Sequence, residues 1–116
     1  KVKAHVGDVD FAVQPELVSL LSSRNFGRYA DEKGEMKVCF ISNNDITGGN
    51  SGSAMFNSKG ELLGLAFDGN WEAMSSDILY EPKMQRTIGV DVRYILFMIE
   101  KYGKAGNLIK ELNIIN

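Results

Sequence analysis

The chain has 116 residues, of which 44% are hydrophobic and 24% charged, and its formal net charge is −2. This length and composition fit one ordinary globular domain, and no basic patch of the kind that nucleic acids require is visible. The longest apolar run, residues 94–99, is far shorter than the roughly 20 residues of a membrane span. The chain begins at Lys1 without an initiator methionine or a signal peptide, so we expect it to be part of a longer protein.

The predicted elements begin with a short helix. Pro15 stands where a first helical turn accepts it, and the apolar residues at positions 17, 18, 20 and 21 recur at helical spacing. A polar loop is predicted for residues 28–35. High β-branched and aromatic content then predicts four strands, at residues 36–41, 53–56, 61–67 and 87–90.

Two connections and a second helix complete the predicted architecture. Residues 57–60 are a hairpin turn signal, and residues 68–81 form a long polar connection. A helix is predicted for residues 91–102, capped by Asp91 and ended by Gly103. Its apolar stripe, which we expect to pack against the sheet, consists of Ile95, Met98, Ile99 and Tyr102. The whole pattern predicts a small antiparallel barrel with a terminal helix.

The most informative segment is residues 47–53, Thr-Gly-Gly-Asn-Ser-Gly-Ser, which lies between two predicted strands. Gly49 and Gly52 lack the Cβ atoms that would block a substrate carbonyl, so Ser51 can act as an exposed nucleophile. The N–H groups of Gly49 and Ser51 can point at the place where an oxyanion develops. The same pattern is typical of an ordinary glycine-rich hairpin loop. It matches neither a phosphate-binding P-loop nor the elbow of the α/β-hydrolases.

The single cysteine and the single histidine favour no other kind of active site. Cys39 lies in an apolar run, which predicts a small buried hydrophobic residue. One histidine and one cysteine far apart cannot form a usual zinc ligand set, so neither a metal site nor a cofactor is predicted. His5 lies in a polar stretch only 46 residues before Ser51, and we interpret it as an exposed or packing residue.

Two longer motifs follow the serine loop. They are residues 64–72, Gly-Leu-Ala-Phe-Asp-Gly-Asn-Trp-Glu, and residues 85–94, Gln-Arg-Thr-Ile-Gly-Val-Asp-Val-Arg-Tyr. Together with the loop, they resemble the bacterial dipeptidyl-peptidase 7 and 11 family, chymotrypsin-like serine peptidases related to the glutamyl endopeptidases. The resemblance extends over about residues 13–112 and is closer to the dipeptidyl-peptidase 7 type. It implies a mainly β fold, namely the six-stranded-type antiparallel C-terminal barrel of a double-barrel peptidase with a C-terminal helix and a short N-terminal helix.

The resemblance also implies roles for individual residues. Ser51 would be the nucleophile, and the N–H groups of Gly49 and Ser51 would form the oxyanion hole. Phe67 would lie on the strand end that runs beside the substrate backbone. Asp68 would bind the free α-amino group of the substrate, which makes the family release dipeptides. A carboxylate at a fixed distance from the nucleophile can measure two residues from an ammonium group.

Substrate specificity is implied by Gly69. Family members that cleave after Asp or Glu carry an arginine at this position, so glycine implies an open, uncharged pocket for an apolar or broad P1 residue. Ile46 would give that pocket an apolar wall, and Ala66 stands where glutamyl endopeptidases have a histidine. Asn50 replaces the aspartate that precedes the nucleophile in digestive chymotrypsins, so their activation switch is expected to be absent.

The family's triad histidine and aspartate precede the serine on an N-terminal barrel, and His5 has no such context. We therefore expect residues 1–116 to be one domain, the nucleophile-bearing barrel of a longer peptidase, and to be inactive alone. Its expected partners are a peptide substrate and the N-terminal barrel of the same protein, with no nucleic acid and no membrane span; a homodimer of the full-length protein is left open. The resemblance implies a periplasmic or cell-surface location. The alternatives are a glutamyl-endopeptidase-like protease and a non-catalytic peptide-binding module.

Overall fold

The computed structural model of the protein describes residue 9 and residues 12–75 and 81–115. His5 lies outside the described residues, as does the part of the predicted polar connection from residue 76 to residue 80. The regular elements, in chain order, are α1 (Pro15–Ser22), β1 (Cys39–Ser42), β2 (Ala54–Phe56), β3 (Leu62–Gly69), β4 (Thr87–Asp91), α2 (Val92–Phe97) and α3 (Gly106–Lys110). Two 3₁₀ turns and a π-helical turn accompany them, at Gly27–Tyr29, Trp71–Ser75 and Met98–Tyr102.

The strands form one antiparallel sheet with the order β1-β4-β3-β2. This confirms the mainly β, antiparallel class and the helices at both ends. The four predicted strands are all present, with bounds that differ by at most three residues. Among the described residues, four strands make an open sheet, whereas the resemblance implies a barrel of six.

Two glycines allow an aromatic ring to lie close to the centre of the sheet. A Cβ atom at Gly89 would lie 2.6 Å from Cζ of Phe40, and one at Gly64 would lie 2.9 Å from Cε1 of the same ring. The Gly64 position is closed further, because its Cβ would lie 2.0 Å from the carbonyl oxygen of Val90. Larger residues would therefore force β3 and β4 apart.

A hydrophobic core cluster of buried residues lies among the helical segments and not on the sheet. Its buried members are Phe26, Tyr29, Leu96, Phe97 and Ile109. The rings of Phe26 and Tyr29 meet the Phe97 ring edge to face, with centroids 5.7 Å and 6.3 Å away. None of the described residues in this cluster belongs to a strand.

The C-terminal helix follows the prediction at its start and departs from it after one and a half turns. Oδ1 of Asp91 accepts the N–H of Arg93 at 2.9 Å, which is the predicted N-terminal cap. From Met98 the helix widens into a π-helical turn, which ends at Gly103. The deepest burial falls on Leu96 and Phe97, which precede the π turn, and not on the predicted stripe.

The prediction that Cys39 is buried was wrong. Cys39 is exposed because β1 is an edge strand, along which exposed and half-buried residues alternate. The alternation puts Cys39 on the same open face as Ile41, which is 68% exposed. Apolar neighbours in sequence therefore did not imply burial.

Candidate active site

The serine loop is fastened to β3 at its C-terminal side. The N–H of Gly52 donates to the carbonyl oxygen of Ala66 at 2.7 Å, and the N–H of Ala66 donates to the carbonyl oxygen of Ser53 at 2.8 Å. This pair continues the β2–β3 ladder up to the loop. Ser51 therefore lies directly beside the end of a paired segment, which is a rigid support for a reactive side chain.

The loop is closed on itself by Asn50. Oδ1 of Asn50 accepts the N–H of Thr47 at 2.9 Å and the Thr47 hydroxyl at 3.3 Å. The main chain repeats the closure, since the N–H of Asn50 donates to the carbonyl oxygen of Thr47 at 3.2 Å. Sequence reasoning assigned Asn50 only the loss of an activation switch and missed this bracing role. The local pattern gave no signal for it, because an Asx turn bonds the backbone two residues ahead, whereas Asn50 accepts from a residue three positions earlier.

Three backbone N–H groups of the loop make no hydrogen bond to any of the described residues, namely those of Gly48, Gly49 and Ser51. Asn50 and Gly52, by contrast, donate their N–H groups within the protein. Gly49 and Gly52 have φ angles of +94° and +83°, which side chains rarely adopt. The loop thus exposes the pair of donors that the sequence analysis singled out for an oxyanion hole.

Ser51 itself is exposed, and its hydroxyl donates to the carbonyl oxygen of Phe67 at 3.4 Å. Phe67 lies at a bulge of β3, where the register with β4 shifts between Ala66 and Asp68. The bulge turns this carbonyl out of the ladder and towards the serine. No imidazole accompanies Ser51 in the described part of the chain, because the chain's one histidine lies outside it.

Asp68, the residue after Phe67, has a carboxylate of which one oxygen accepts a hydrogen bond from the described residues. Its Oδ1 accepts the N–H of Gly69 at 2.7 Å. Its Oδ2 receives no hydrogen bond from the described residues, and the side chain is exposed. The carboxylate is therefore oriented by the backbone and still open to a cationic group.

Gly69, Ile46 and Ala73 meet beside this carboxylate. A Cβ atom at Gly69 would lie 2.7 Å from the Cβ of Ala73 and 3.6 Å from Cγ2 of Ile46. The predicted apolar wall at Ile46 is thus adjacent to Gly69. Ala73, on the Trp71–Ser75 turn, is a second wall that sequence reasoning did not find, because the segment had been predicted to be a plain polar connection.

The structure therefore brings the predicted residues into one neighbourhood along the end of β3. Ser51 contacts Phe67, Asp68 contacts Gly69, and Ile46 faces Gly69. The chemical roles assigned to these residues and to Gly49 remain predictions. No group of three or more potential metal ligands occurs within residues 12–75 and 81–115, and no helix in the described part of the chain is long and apolar enough to cross a membrane.

Comparison with known proteins decides the family. The model of the family described as Peptidase S46 matches residues 1–114. The chain belongs to the peptidase S46 family. It is 63% identical over 106 residues to "Dipeptidyl-peptidase 7" of Porphyromonas endodontalis, and 59% identical over 106 residues to "Dipeptidyl-peptidase 7" of Porphyromonas gingivalis. Each alignment covers 91% of this chain, but only 13% and 15% of the two relatives.

A solved structure is similar to the chain over nearly its whole length. The crystal structure of Porphyromonas endodontalis DPP11 in complex with the dipeptide Arg-Glu matches with a TM-score of 0.88 at 43% identity. The match covers 95% of this chain and 16% of that chain. The resemblance to the dipeptidyl-peptidase 7 and 11 family is thus confirmed, and identity is higher to the two dipeptidyl-peptidase 7 sequences than to DPP11.

Proposed function

We propose that this S46 chain carries the nucleophile and part of the substrate site of a serine-type dipeptidyl peptidase with an apolar or broad P1 preference. The observation that carries the proposal is the loop geometry. Ser51 is exposed at the end of a paired segment, and the N–H groups of Gly49 and Ser51 make no hydrogen bond to the described residues. The names of the relatives support the same activity.

In the proposed reaction, Oγ of Ser51 attacks the carbonyl carbon of the second residue of the peptide. Its proton passes to a general base, and the carbonyl oxygen becomes an oxyanion that accepts the N–H groups of Gly49 and Ser51. The carbon–nitrogen bond then breaks and the amine leaves with a proton. Water hydrolyses the acyl-enzyme in the second half of the reaction and releases the dipeptide.

The exopeptidase character rests on Asp68. Its free Oδ2 would pair with the α-ammonium group of the substrate, so that only peptides with a free N-terminus are held in register. A peptide that lacks the free amine would leave the Asp68 carboxylate desolvated and unpaired, which disfavours binding of that peptide. The side chain of the second residue would lie beside Gly69 and Ile46, where the described atoms nearest to a Cβ at Gly69 are two methyl groups, of Ala73 and Ile46, and the backbone oxygen of Arg86.

The base and its orienting carboxylate belong, in this proposal, to a separate N-terminal barrel of the full-length protein. The small share of the relatives' length that this chain covers is consistent with that arrangement. We propose that residues 1–116 alone have only residual activity, because an oxyanion hole without a base retains a small part of the catalysis. Location in the periplasm or at the cell surface is part of the same proposal.

The test uses the full-length protein and four dipeptidyl substrates. They combine an apolar or an acidic P1 residue with a free or a blocked N-terminus. We expect cleavage of the free apolar substrate and at least about a hundredfold lower kcat/KM for the blocked one, since a charge-assisted pair is lost. Equal cleavage of blocked substrates would indicate a glutamyl-type endopeptidase, and binding without cleavage would indicate a peptide-binding module.

A further inference from the structure

The space above Gly69 is closed by one methyl group. A Cβ at position 69 would lie 2.7 Å from the Cβ of Ala73, well inside van der Waals contact, while Ile46 stands back at 3.6 Å. Ala73 is 9% exposed, so it faces the protein and not bulk water. Among the described residues near Gly69, the Ala73 methyl therefore limits how far a group can extend from this point.

The position of Ala73 is fixed by Asn70. The N–H of Ala73 donates to the carbonyl oxygen of Asn70 at 2.9 Å, which forms the Trp71–Ser75 turn. Asn70 is in turn held by the non-strand segment directly before β4. Its backbone N–H donates to the carbonyl oxygen of Arg86 at 2.9 Å, its Oδ1 accepts the N–H of Arg86 at 2.8 Å, and its Nδ2 donates to the carbonyl oxygen of Met84 at 2.9 Å.

We propose that Ala73 is a specificity-determining residue that sets the depth of the P1 pocket beside Gly69, and that Asn70 is the positioning residue that holds it there. The inference rests on the proposed function, since it assigns the end wall of the same pocket. A methyl group held by a turn with three hydrogen bonds to one neighbouring segment cannot move away from a bulky P1 side chain. The pocket therefore admits short and medium apolar side chains and resists long ones.

The decisive experiment is a double-mutant cycle in the full-length protein. Ala73→Gly removes the methyl, Gly69→Ala adds one opposite it, and the double variant moves the methyl from one wall to the other. For each protein, kcat/KM is measured with free-amine dipeptidyl substrates that carry Val or Phe at P1. Ala30→Gly, at a half-buried alanine of the helical cluster, serves as the matched control.

We expect Ala73→Gly to raise the Phe-to-Val ratio of kcat/KM about tenfold, the scale at which one methylene is discriminated in an apolar pocket. Gly69→Ala alone should lower kcat/KM for both substrates, because its Cβ meets the Ala73 methyl, and Ala73→Gly in the same chain should restore it. Ala30→Gly should leave the ratio unchanged. A merely structural role of Ala73 would lower both rate constants together and leave the ratio constant.

Two results overturn the inference. If the wild-type protein cleaves these substrates and Ala73→Gly leaves the Phe-to-Val ratio unchanged, Ala73 does not limit the pocket, and the proposed function stands. If the wild-type protein cleaves none of them, the proposed function fails and the inference fails with it. Should Ala73→Gly not fold, as judged by thermal unfolding, Gly69→Ala is decisive alone. It should lower kcat/KM for both substrates and more strongly for Phe, and an equal loss for both would overturn the inference.

Discussion

The serine loop, residues 47–53, allows a prediction with an internal control, because its neighbouring glycines Gly48 and Gly49 differ in the sign of φ. Gly48 and Gly49 are both exposed, and a Cβ at either would have no heavy atom within 4 Å. Only Gly49 has a positive φ angle, +94°. Gly49→Ala therefore adds no steric contact and strains the backbone, whereas Gly48→Ala adds neither.

The expected magnitude follows from the conformational penalty. An L-residue held at positive φ costs about 1–2 kcal/mol, so the loop of Gly49→Ala relaxes by rotating the peptide that contains the Gly49 N–H. Loss of one aimed oxyanion donor lowers kcat by about 10²- to 10³-fold. Gly48→Ala should stay within about threefold of the wild type, as expected for a surface change away from such features.

The assay is steady-state hydrolysis of a free-amine apolar dipeptidyl substrate by the full-length protein, with thermal unfolding as a check on folding. We expect kcat of Gly49→Ala to fall with little change in KM, since an oxyanion donor acts in the transition state. Equal effects of Gly48→Ala and Gly49→Ala would refute the reasoning, as would a Gly49→Ala protein that retains full kcat.

Three further predictions concern the serine loop, the centre of the sheet and one ion pair. Asn50→Asp keeps the acceptor for the loop and should retain kcat/KM, whereas Asn50→Ala should lower it about tenfold, the equivalent of one hydrogen bond. Gly64→Ala, whose Cβ would lie 2.0 Å from a carbonyl oxygen of β4, should lower the free energy of unfolding by about 3 kcal/mol in calorimetry, and Gly106→Ala should not. Backbone N–H donors and the Lys37 ammonium lower the pKa of Asp31 to about 2. The contribution of Asp31 to stability is therefore complete above about pH 4 and is lost as the pH falls towards 2. An NMR titration should find this pKa, and a higher pKa for Asp31 in Lys37→Ala.

The strands and the serine loop were predictable because their signals are local. β-branched and aromatic content and a glycine-rich turn depend on neighbouring residues, and the resulting strand bounds are off by at most three residues. The burial of Cys39 was not predictable in this way, because it depends on which strand forms the edge of the sheet. Pattern rules report which residues are apolar, but the order of strands is a property of the whole fold.

The residues around Gly69 in the candidate site were harder to predict from the sequence. Asn70 bonds to Met84 and Arg86, 14 and 16 residues away, and nothing in the local pattern identifies these partners. The contact between Gly69 and Ala73 likewise depends on the Trp71–Ser75 turn, in a segment that looked merely polar. Ile46 was assigned through family resemblance, which carries tertiary information that composition and periodicity lack.

The identity of the nucleophile is the central claim, and covalent labelling tests it most directly. The full-length protein would be treated with a fluorophosphonate, which reacts with activated serines, and the adduct would be located by peptide mass spectrometry. The account predicts one adduct per chain, on Ser51, lost together with activity in Ser51→Ala and retained in the neighbouring control Ser53→Ala. An adduct on another residue, or a Ser51→Ala protein that still turns over substrate at the wild-type rate, would contradict it.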